Sequence, residues 1–125
     1  DAVLIKENHL AAVGGIEPAI EAARAANPGL TIEVEVEDLA QTEVALRAGA
    51  DTLLLDNFSL ADLRRAVALN LKLRTPPARL EASGDVTLDT LGEIAATGVH
   101  FVSVGAVTKH VRAVDLSLRF RLDEA

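Results

Sequence analysis

Two charged residues, Lys6 and Asp56, each come directly after a short apolar run. A carboxylate such as Asp56 at the carboxyl end of an apolar strand commonly serves as a catalytic or metal-binding acid, and the alternative is a cap on the following helix. A lysine at the end of a strand can receive a carboxylate or a phosphate group, although it can equally be solvated. Both residues are therefore candidates for a site that binds an anion or a metal ion.

Three carboxylates, Glu33, Glu35 and Glu37, alternate with Val34 and Val36. Side chains at every second position of a strand point to the same face, so the three acids would share one face. On an exposed edge strand this face would be solvated. Inside a parallel barrel it would face the lumen, where unpaired carboxylates cost several kcal/mol. We therefore expect at least one of these acids to face a ligand or a lysine.

Two pairs that contain glycine, Ser83–Gly84 and Gly105–Ala106, each lie between a predicted strand and a predicted helical segment. Glycine lets backbone amides approach a ligand closely, and the N-terminus of a following helix adds partial positive charge. Either pair by itself is typical of a turn. Together with Lys109, they predict a phosphate site made of two loops.

Short runs rich in leucine and β-branched residues recur along the chain and predict buried strands. They cover residues 2–5, 32–36, 52–55, 78–80 and 100–104. With helical segments between them, the order βαβαβαβαβ predicts a parallel sheet whose helices pack outside. This periodicity does not decide between an open and a closed sheet. A complete eight-unit barrel needs about 250 residues, so 125 residues would supply about half of one.

Four of the intervening segments have apolar residues at helical spacing, and each has a recognisable end. The predicted stops are Asn27, Gly49, Asn70 and Gly98. Ser59 and Asp62 resemble a capping box that opens the third helix. The fourth helix is expected to open at Thr87 and to face the core with Leu88, Leu91 and Ala95. His9 is expected to order a loop or cap a helix.

The composition excludes several classes of site. Half of the residues are hydrophobic, there is no cysteine, and the net charge is -7. A disulfide, a thiolate nucleophile and a general nucleic-acid surface are therefore excluded, and any anion site must be local. The apolar runs are shorter than the ~20 residues of a membrane-spanning helix, so we expect no membrane partner. The absence of cysteine is compatible with a reducing cytoplasm, where we expect the protein to lie. The absence of methionine and the start at Asp1 suggest part of a longer chain.

Five motifs occur in an order that resembles the quinolinate phosphoribosyltransferases. They are residues 4–9, 33–36, 54–57, 81–84 and 103–109. The resemblance implies a type II enzyme with an N-terminal α/β sandwich and an incomplete seven-stranded α/β barrel, active as a homodimer or higher homo-oligomer. The implied reaction joins quinolinate to 5-phosphoribosyl 1-diphosphate with Mg²⁺, giving nicotinate mononucleotide, CO2 and diphosphate, a step of NAD biosynthesis.

The same resemblance implies that residues 1–125 are the C-terminal part of the barrel domain. The N-terminal domain and the early strands would then be absent, and the chain alone would be inactive. It assigns Lys6 to a carboxylate of quinolinate and the reacting centre. It assigns Glu35 and Asp56 to the ribose hydroxyls and to Mg²⁺, either directly or indirectly. The residues assigned to the 5-phosphate and the rest of the substrate site are Ser83, Gly84, Asp85, Val104, Gly105, Ala106 and Lys109.

Two positions depart from the family pattern. His100 stands where aspartate is usual, and Asp85 replaces the more common glycine or asparagine. Because a carboxylate would repel phosphate, Asp85 is expected to contribute its backbone amide. Two alternatives stay open: a related type II enzyme for another aromatic carboxylate such as nicotinate, including a paralogue associated with molybdenum uptake, and a non-catalytic phosphate-binding or assembly module.

Overall fold

A computed structural model describes residues 1–109 and 113–120. Over these residues the strands are β1 (Ala2–Ile5), β2 (Thr31–Val36), β3 (Thr52–Asp56), β4 (Arg79–Ser83) and β5 (Phe101–Val102). The helices are α1 (Glu7–Val13), α2 (Ile16–Ala26), α3 (Leu39–Arg47), α4 (Leu60–Leu73), α5 (Leu88–Ala95) and α6 (Ala106–Lys109).

The strands form one parallel sheet in the order β1-β2-β3-β4-β5. Each strand therefore pairs with its neighbour in sequence, and every connection contains at least one helix. Parallel strands in consecutive order with helical crossovers are the repeating pattern of a (β/α) barrel. The predicted fold class, a portion of a parallel barrel, is confirmed.

One face of the sheet carries the hydrophobic core. Ile32, Val34 and Leu53 on this face are fully buried, and they belong to the same cluster as apolar residues of the helices. The buried helical members are Ile16, Ala19 and Ile20 in α2, Ala45 and Leu46 in α3, and Leu63 and Ala66 in α4. Burial of these stripes holds the helices against the sheet.

The opposite face is polar and only partly covered. Glu33 and Glu35 alternate with buried valine and isoleucine along β2, so the predicted common face of these carboxylates is confirmed. In the strand register, Glu35 lies beside Leu54, and Leu54 lies beside Glu81. The fold therefore presents acidic side chains on the face away from its helices.

Two side chains replace the backbone as hydrogen-bond partners at the starts of strands. The N–H of Ile32 donates to Asp51 Oδ2 at 2.9 Å, and the N–H of Leu80 donates to His100 Nδ1 at 3.0 Å. In return, the N–H of Asp51 donates to the Ile32 carbonyl and that of His100 to the Leu80 carbonyl. His100 therefore makes before β5 the contact that Asp51 makes before β3, which explains how histidine can replace the usual aspartate.

Some predicted boundaries differ from the structure. The helix α1 was not predicted, because it has only seven residues and none of them is buried; Leu10 alone packs against the core. The strand β5 has two residues, not the five of 100–104. The helix α4 continues past Asn70, whose side chain is buried and holds Ala78 through bonds of 2.8 and 2.9 Å.

The orientation predicted for α5 is wrong at two of its three residues. Leu88 is 86% exposed and Ala95 is also exposed, whereas Leu91 is partly buried and Ile94 packs against the core. Because β5 is so short, α5 has little sheet to cover, and its first turn stays in solvent. In the described residues, no helix is long and apolar enough to cross a membrane.

Candidate active site

Polar side chains from neighbouring strands meet at the carboxyl edge of the sheet. Lys6 follows β1, Glu35 is near the end of β2, and Asp56 and Ser83 are the last residues of β3 and β4. Gly105 follows β5. Because all five strands are parallel, their carboxyl ends lie at one edge, which is where α/β folds bind their ligands.

Lys6 and Glu35 form an ion pair. Lys6 Nζ lies 3.0 Å from Glu35 Oε2, and the Glu35 side chain is 14% exposed. The hydrogen bond and the charge of Glu35 raise the pKa of Lys6, and the nearby charges of Glu7 and Asp56 add to this effect. The expectation that one carboxylate of β2 would face a lysine is therefore confirmed.

The start of α1 orients the Lys6 backbone. The N–H of Lys6 donates to His9 Nδ1 at 3.0 Å, and Lys6 is the N-cap of this helix, with extended dihedral angles. His9 thus has the capping role predicted for it. This hydrogen bond fixes the boundary between β1 and α1 at Lys6. It therefore also fixes the position of the backbone that carries the lysine side chain.

The other two carboxylates of β2 have different surroundings. Partial burial and the charge of Glu81 raise the pKa of Glu33. Glu33 borders a cavity of about 380 Å³ that is lined mainly by residues at the starts of the strands, away from the candidate site. Glu37 lies beyond the end of β2 and is exposed. Of the three acids, Glu35 is the one held at the site by a lysine.

Asp56 is fixed by hydrogen bonds to both carboxylate oxygens. The Ser83 hydroxyl donates to Oδ1 at 2.8 Å, and the Asn57 amide Nδ2 donates to Oδ2 at 2.9 Å. Hydrogen bonds to an ionised carboxylate are among the stronger ones in proteins. The Asp56 carboxylate is therefore held in one orientation before any ligand arrives.

A cleft of about 350 Å³ lies beside Asp56. It is lined by Asp56, Asn57, Ser83, Gly84, Asp85, Ser103, Gly105 and Lys109. Lys109 folds back over Gly105, so that a Cβ added at this glycine would lie 3.7 Å from Lys109 Cε. Most residues predicted to bind phosphate thus come together in one cleft.

The remaining predicted residues are placed differently. Lys6 and Glu35 form their pair outside the lining of this cleft. Val104 is partly buried and does not line it. Ala106 begins α6, but its side chain is outside the described part of the structure.

The two glycine loops are not equivalent. After Gly105, α6 begins at the next residue. After Gly84, three residues intervene before α5, whose first turn is capped by the Thr87 hydroxyl accepting from the Thr90 N–H. A helix N-terminus therefore follows Gly105 directly but does not follow Gly84 directly, and the predicted opening of this helix at Thr87 is confirmed.

Two lining residues, Asn57 and Ser103, were not among the predicted site residues. The Ser103 hydroxyl donates to Glu81. Asn57 adopts a positive φ of 56°, a conformation that asparagine tolerates better than most residues. Its position directly after the strand-end acid was the available signal in the sequence.

Comparison with known proteins identifies the family. The family profile described as "Quinolinate phosphoribosyl transferase, C-terminal domain" matches residues 1–119. The chain belongs to this family. It is 42% identical over 118 residues to the nicotinate-nucleotide pyrophosphorylase (carboxylating) of Mycobacterium leprae, covering 94% of this chain and 41% of the relative. The human protein of the same name is 41% identical, with coverage of 94% and 39%.

Solved structures agree with this assignment to the phosphoribosyl transferase family. The nicotinate-nucleotide pyrophosphorylase from Francisella tularensis superposes with a TM-score of 0.82 at 44% identity, covering 94% of this chain and 40% of that one. The chain thus spans well under half the length of the relatives that it matches. Within residues 1–109 and 113–120, no group of three or more histidine, cysteine or acidic side chains could hold a metal ion by itself.

Proposed function

We propose that the protein transfers a phosphoribosyl group from 5-phosphoribosyl 1-diphosphate to quinolinate, with decarboxylation, to give nicotinate mononucleotide, CO2 and diphosphate. The observation that supports this most is the arrangement at the carboxyl edge. A lysine–glutamate pair lies at the same edge as an oriented carboxylate and a cleft with two glycine loops and a lysine. Membership of the phosphoribosyl transferase family gives the reaction class.

Lys6 would receive the dicarboxylate acceptor. Lys6 follows β1, and its ammonium group is held by Glu35 of β2. The lysine side chain is 47% exposed to solvent. The raised pKa of Lys6 keeps it cationic at neutral pH. A cation at this place can bind one carboxylate of quinolinate and offset charge as the carboxyl group leaves.

Asp56 and Glu35 would stabilise the ribose in the transition state. Loss of diphosphate leaves positive charge on the ribose, and preorganised carboxylates favour such charge. An opposite charge at ~4 Å is worth about 4 kcal/mol at an effective dielectric constant of 20. Because Ser83 and Asn57 already orient Asp56, little reorganisation is required. The chemistry needs no covalent nucleophile.

The cleft beside Asp56 would hold the 5-phosphate. Gly84 and Gly105 line it, and glycine leaves backbone amides open to close approach. Lys109 adds a positive charge over Gly105. Asp85 is exposed at the rim, so its backbone amide is the better contributor. In a phosphate complex, we expect phosphate oxygens within ~2.7 to 3.2 Å of the backbone nitrogens of Ser83, Gly84 and Gly105.

Mg²⁺ is the proposed cofactor. Magnesium in phosphate-transfer sites typically binds one or two carboxylates and takes its other ligands from substrate phosphates and water. Asp56 and Glu35 fit that pattern, with Glu35 acting indirectly because Lys6 already pairs with it. When bound, the ion would neutralise charge on the departing diphosphate.

The proposal extends to the setting of the enzyme. We propose a homodimer or higher homo-oligomer in the cytoplasm, without nucleic-acid or membrane partners. The acidic composition, with 19 acidic and 12 basic residues, supports the exclusion of nucleic acid. Sedimentation analysis of the full-length polypeptide would test the oligomeric state.

Activity assays on the full-length polypeptide test the reaction. Release of CO2 from quinolinate should depend on both 5-phosphoribosyl 1-diphosphate and Mg²⁺, and nicotinate should be a poor acceptor. Preference for nicotinate would indicate a related enzyme instead. Binding of 5-phosphoribosyl 1-diphosphate without turnover of either acid would indicate a non-catalytic module.

A matched pair of lysine variants tests the acceptor site. Lys6→Ala should raise KM for quinolinate strongly, because the cation that receives its carboxylate is removed. Lys72→Ala removes an exposed lysine in the last turn of α4 and should leave KM unchanged. Equal KM values in the two variants would exclude Lys6 from the acceptor site.

A further inference from the structure

Asn57 has an unusual backbone. Among the described residues it is the non-glycine residue with a positive φ, at 56°. This left-handed conformation is uncommon outside glycine, although asparagine adopts it several times more often than most other residues. It turns the chain immediately after β3, so that the side chain at 57 points back toward its neighbour Asp56.

Asn57 joins Asp56 and Ser83 in a closed set of hydrogen bonds. Its amide Nδ2 donates to Asp56 Oδ2 at 2.9 Å, and its backbone N–H donates to the Ser83 carbonyl at 3.1 Å. The Ser83 hydroxyl donates to Asp56 Oδ1 at 2.8 Å and completes the set. The last residues of β3 and β4 are therefore fixed relative to each other by both backbone and side chains.

Asn57 also packs against the glycine loop. A Cβ added at Gly84 would lie 2.9 Å from Asn57 Cγ and 3.1 Å from Asn57 Cα, distances that real Cβ atoms rarely have. Gly84 itself has a φ of 113°, which L-residues rarely adopt. The side chain of Asn57 therefore fills the space that any other residue at position 84 would need.

We propose that Asn57 is a positioning residue that sets the Asp56 carboxylate and the Ser83–Gly84 loop at a fixed separation. This inference rests on the proposed function, in which Asp56 serves the ribose and the loop serves the 5-phosphate of the same donor. Although Asn57 lines the cleft, its role would not depend on a contact of its own with the ribose or the phosphate group. It would act by keeping the two groups that contact them in register, and misplaced groups lose rate steeply.

Three substitutions separate the contributions of Asn57. Asn57→Gly keeps the left-handed backbone and removes the amide. Asn57→Asp keeps the size and tolerates the backbone, but replaces the donor with a second carboxylate beside Asp56. Asn57→Ala removes the amide and strains the backbone. The matched control is Asn27→Gly, which removes a 3.1 Å bond to the Ala23 carbonyl at the far end of the sheet.

Steady-state kinetics of the full-length polypeptide give the first measurement. Asn57→Gly should lower kcat about tenfold to a hundredfold, the effect of losing a hydrogen bond to a charged group, with little change in KM for quinolinate. Asn57→Asp should not restore the rate, and Asn57→Ala should be the most impaired. Asn27→Gly should match the wild type in kcat. If Asn27→Gly lost as much kcat as Asn57→Gly, Asn57 would contribute only to the stability of the fold and not to the position of Asp56 and the loop.

Titration with inorganic phosphate and crystal structures do not depend on turnover. Asn57→Gly should bind phosphate several-fold more weakly, and its Ser83–Gly84 loop should lie displaced relative to Asp56. If the wild type lacks turnover, the proposed function fails, and the loop position in Asn57→Gly still decides the inference. If the wild type is active and Asn57→Gly retains its kcat and loop geometry, the inference is wrong.

A double-mutant cycle with Gly84→Ala tests the contact between the two residues. The added methyl group clashes with the Asn57 side chain, so Gly84→Ala should harm phosphate binding less when position 57 is glycine. The rescue should be partial, because the positive φ at position 84 still strains alanine. Strict additivity of the two substitutions would show that the contact has no role.

Discussion

Replacing Asp56 with asparagine should separate the charge of this side chain from its shape. The substitution keeps the size of the residue, but one carboxylate oxygen becomes an NH2 group. Both oxygens accept hydrogen bonds, from Ser83 at 2.8 Å and Asn57 at 2.9 Å. The new NH2 group would therefore face a donor on one side, and the negative charge that stabilises the ribose cation would be lost.

The expected effect lies in the rate and not in acceptor binding. Removing a preorganised electrostatic group typically lowers kcat by about a hundredfold to a thousandfold, and a hundredfold corresponds to about 2.7 kcal/mol. Asp56→Asn and Asp56→Ala should both show such a loss in CO2 release from quinolinate. Glu35→Ala should behave in the same way. KM for quinolinate should stay near its wild-type value in the Asp56 variants, because Lys6 and not Asp56 receives this acid.

Asp51 offers a matched control at the opposite end of β3. It lies just before β3, and its Oδ2 accepts from the Ile32 N–H at 2.9 Å and from Arg24 at 3.3 Å. In Asp51→Asn the amide oxygen can still accept from Ile32, and the exposed ion pair that is lost is worth at most about 1 kcal/mol. Asp51→Asn should therefore keep kcat. If Asp56→Asn also keeps kcat within about tenfold of the wild type, Asp56 has no place in the mechanism.

The remaining predictions concern stability, pH dependence and the isolated chain. In urea denaturation, His100→Asp should keep nearly the wild-type free energy of unfolding, since a carboxylate can also accept the Leu80 N–H. His100→Ala should lose about 1 kcal/mol of this free energy. Equal losses in the two variants would show that the imidazole contact does not stabilise the fold. Partial burial and the charge of Glu81 raise the pKa of Glu33 above 4.5, so the ionised side chain destabilises the folded state. Glu33→Gln should therefore increase the free energy of unfolding at neutral pH, and this gain should vanish below pH 4.5, where Glu33 is protonated in both states. A gain that is constant with pH would contradict this. The isolated chain 1–125 should release no CO2 from quinolinate, because much of the binding and orientation energy would be missing and the sheet would expose open edges; turnover by a monomer would refute this.

The sequence by itself determined the elements and their faces. Period-two alternation in β2 identified which face would carry Glu33 and Glu35, because the pleat of a strand leaves no other choice. The strands β1 to β4 were found within a few residues of their ends, since buried β-branched runs are a strong local signal. Strand-end position alone indicated Lys6 and Asp56. Each of these features depends on residues close together in the chain.

Local patterns failed where the surroundings of an element decided its structure. The helix α1 has only seven residues, of which Leu10 packs against the core and none is fully buried. Leu88 was expected in the core but lies in solvent. An apolar side chain is buried only if another element covers it, and the two residues of β5 offer α5 little surface. Helical spacing cannot report the size of the surface that receives the helix.

The tertiary structure alone decided the partners within the site. The Ser83 hydroxyl meets Asp56 across 27 residues of sequence, and Lys6 meets Glu35 because β1 and β2 are adjacent and in a particular register. The left-handed turn at Asn57 and its contact with Gly84 depend on the same alignment of β3 and β4. Composition and spacing show which groups reach the carboxyl edge, but the strand register determines which of them touch.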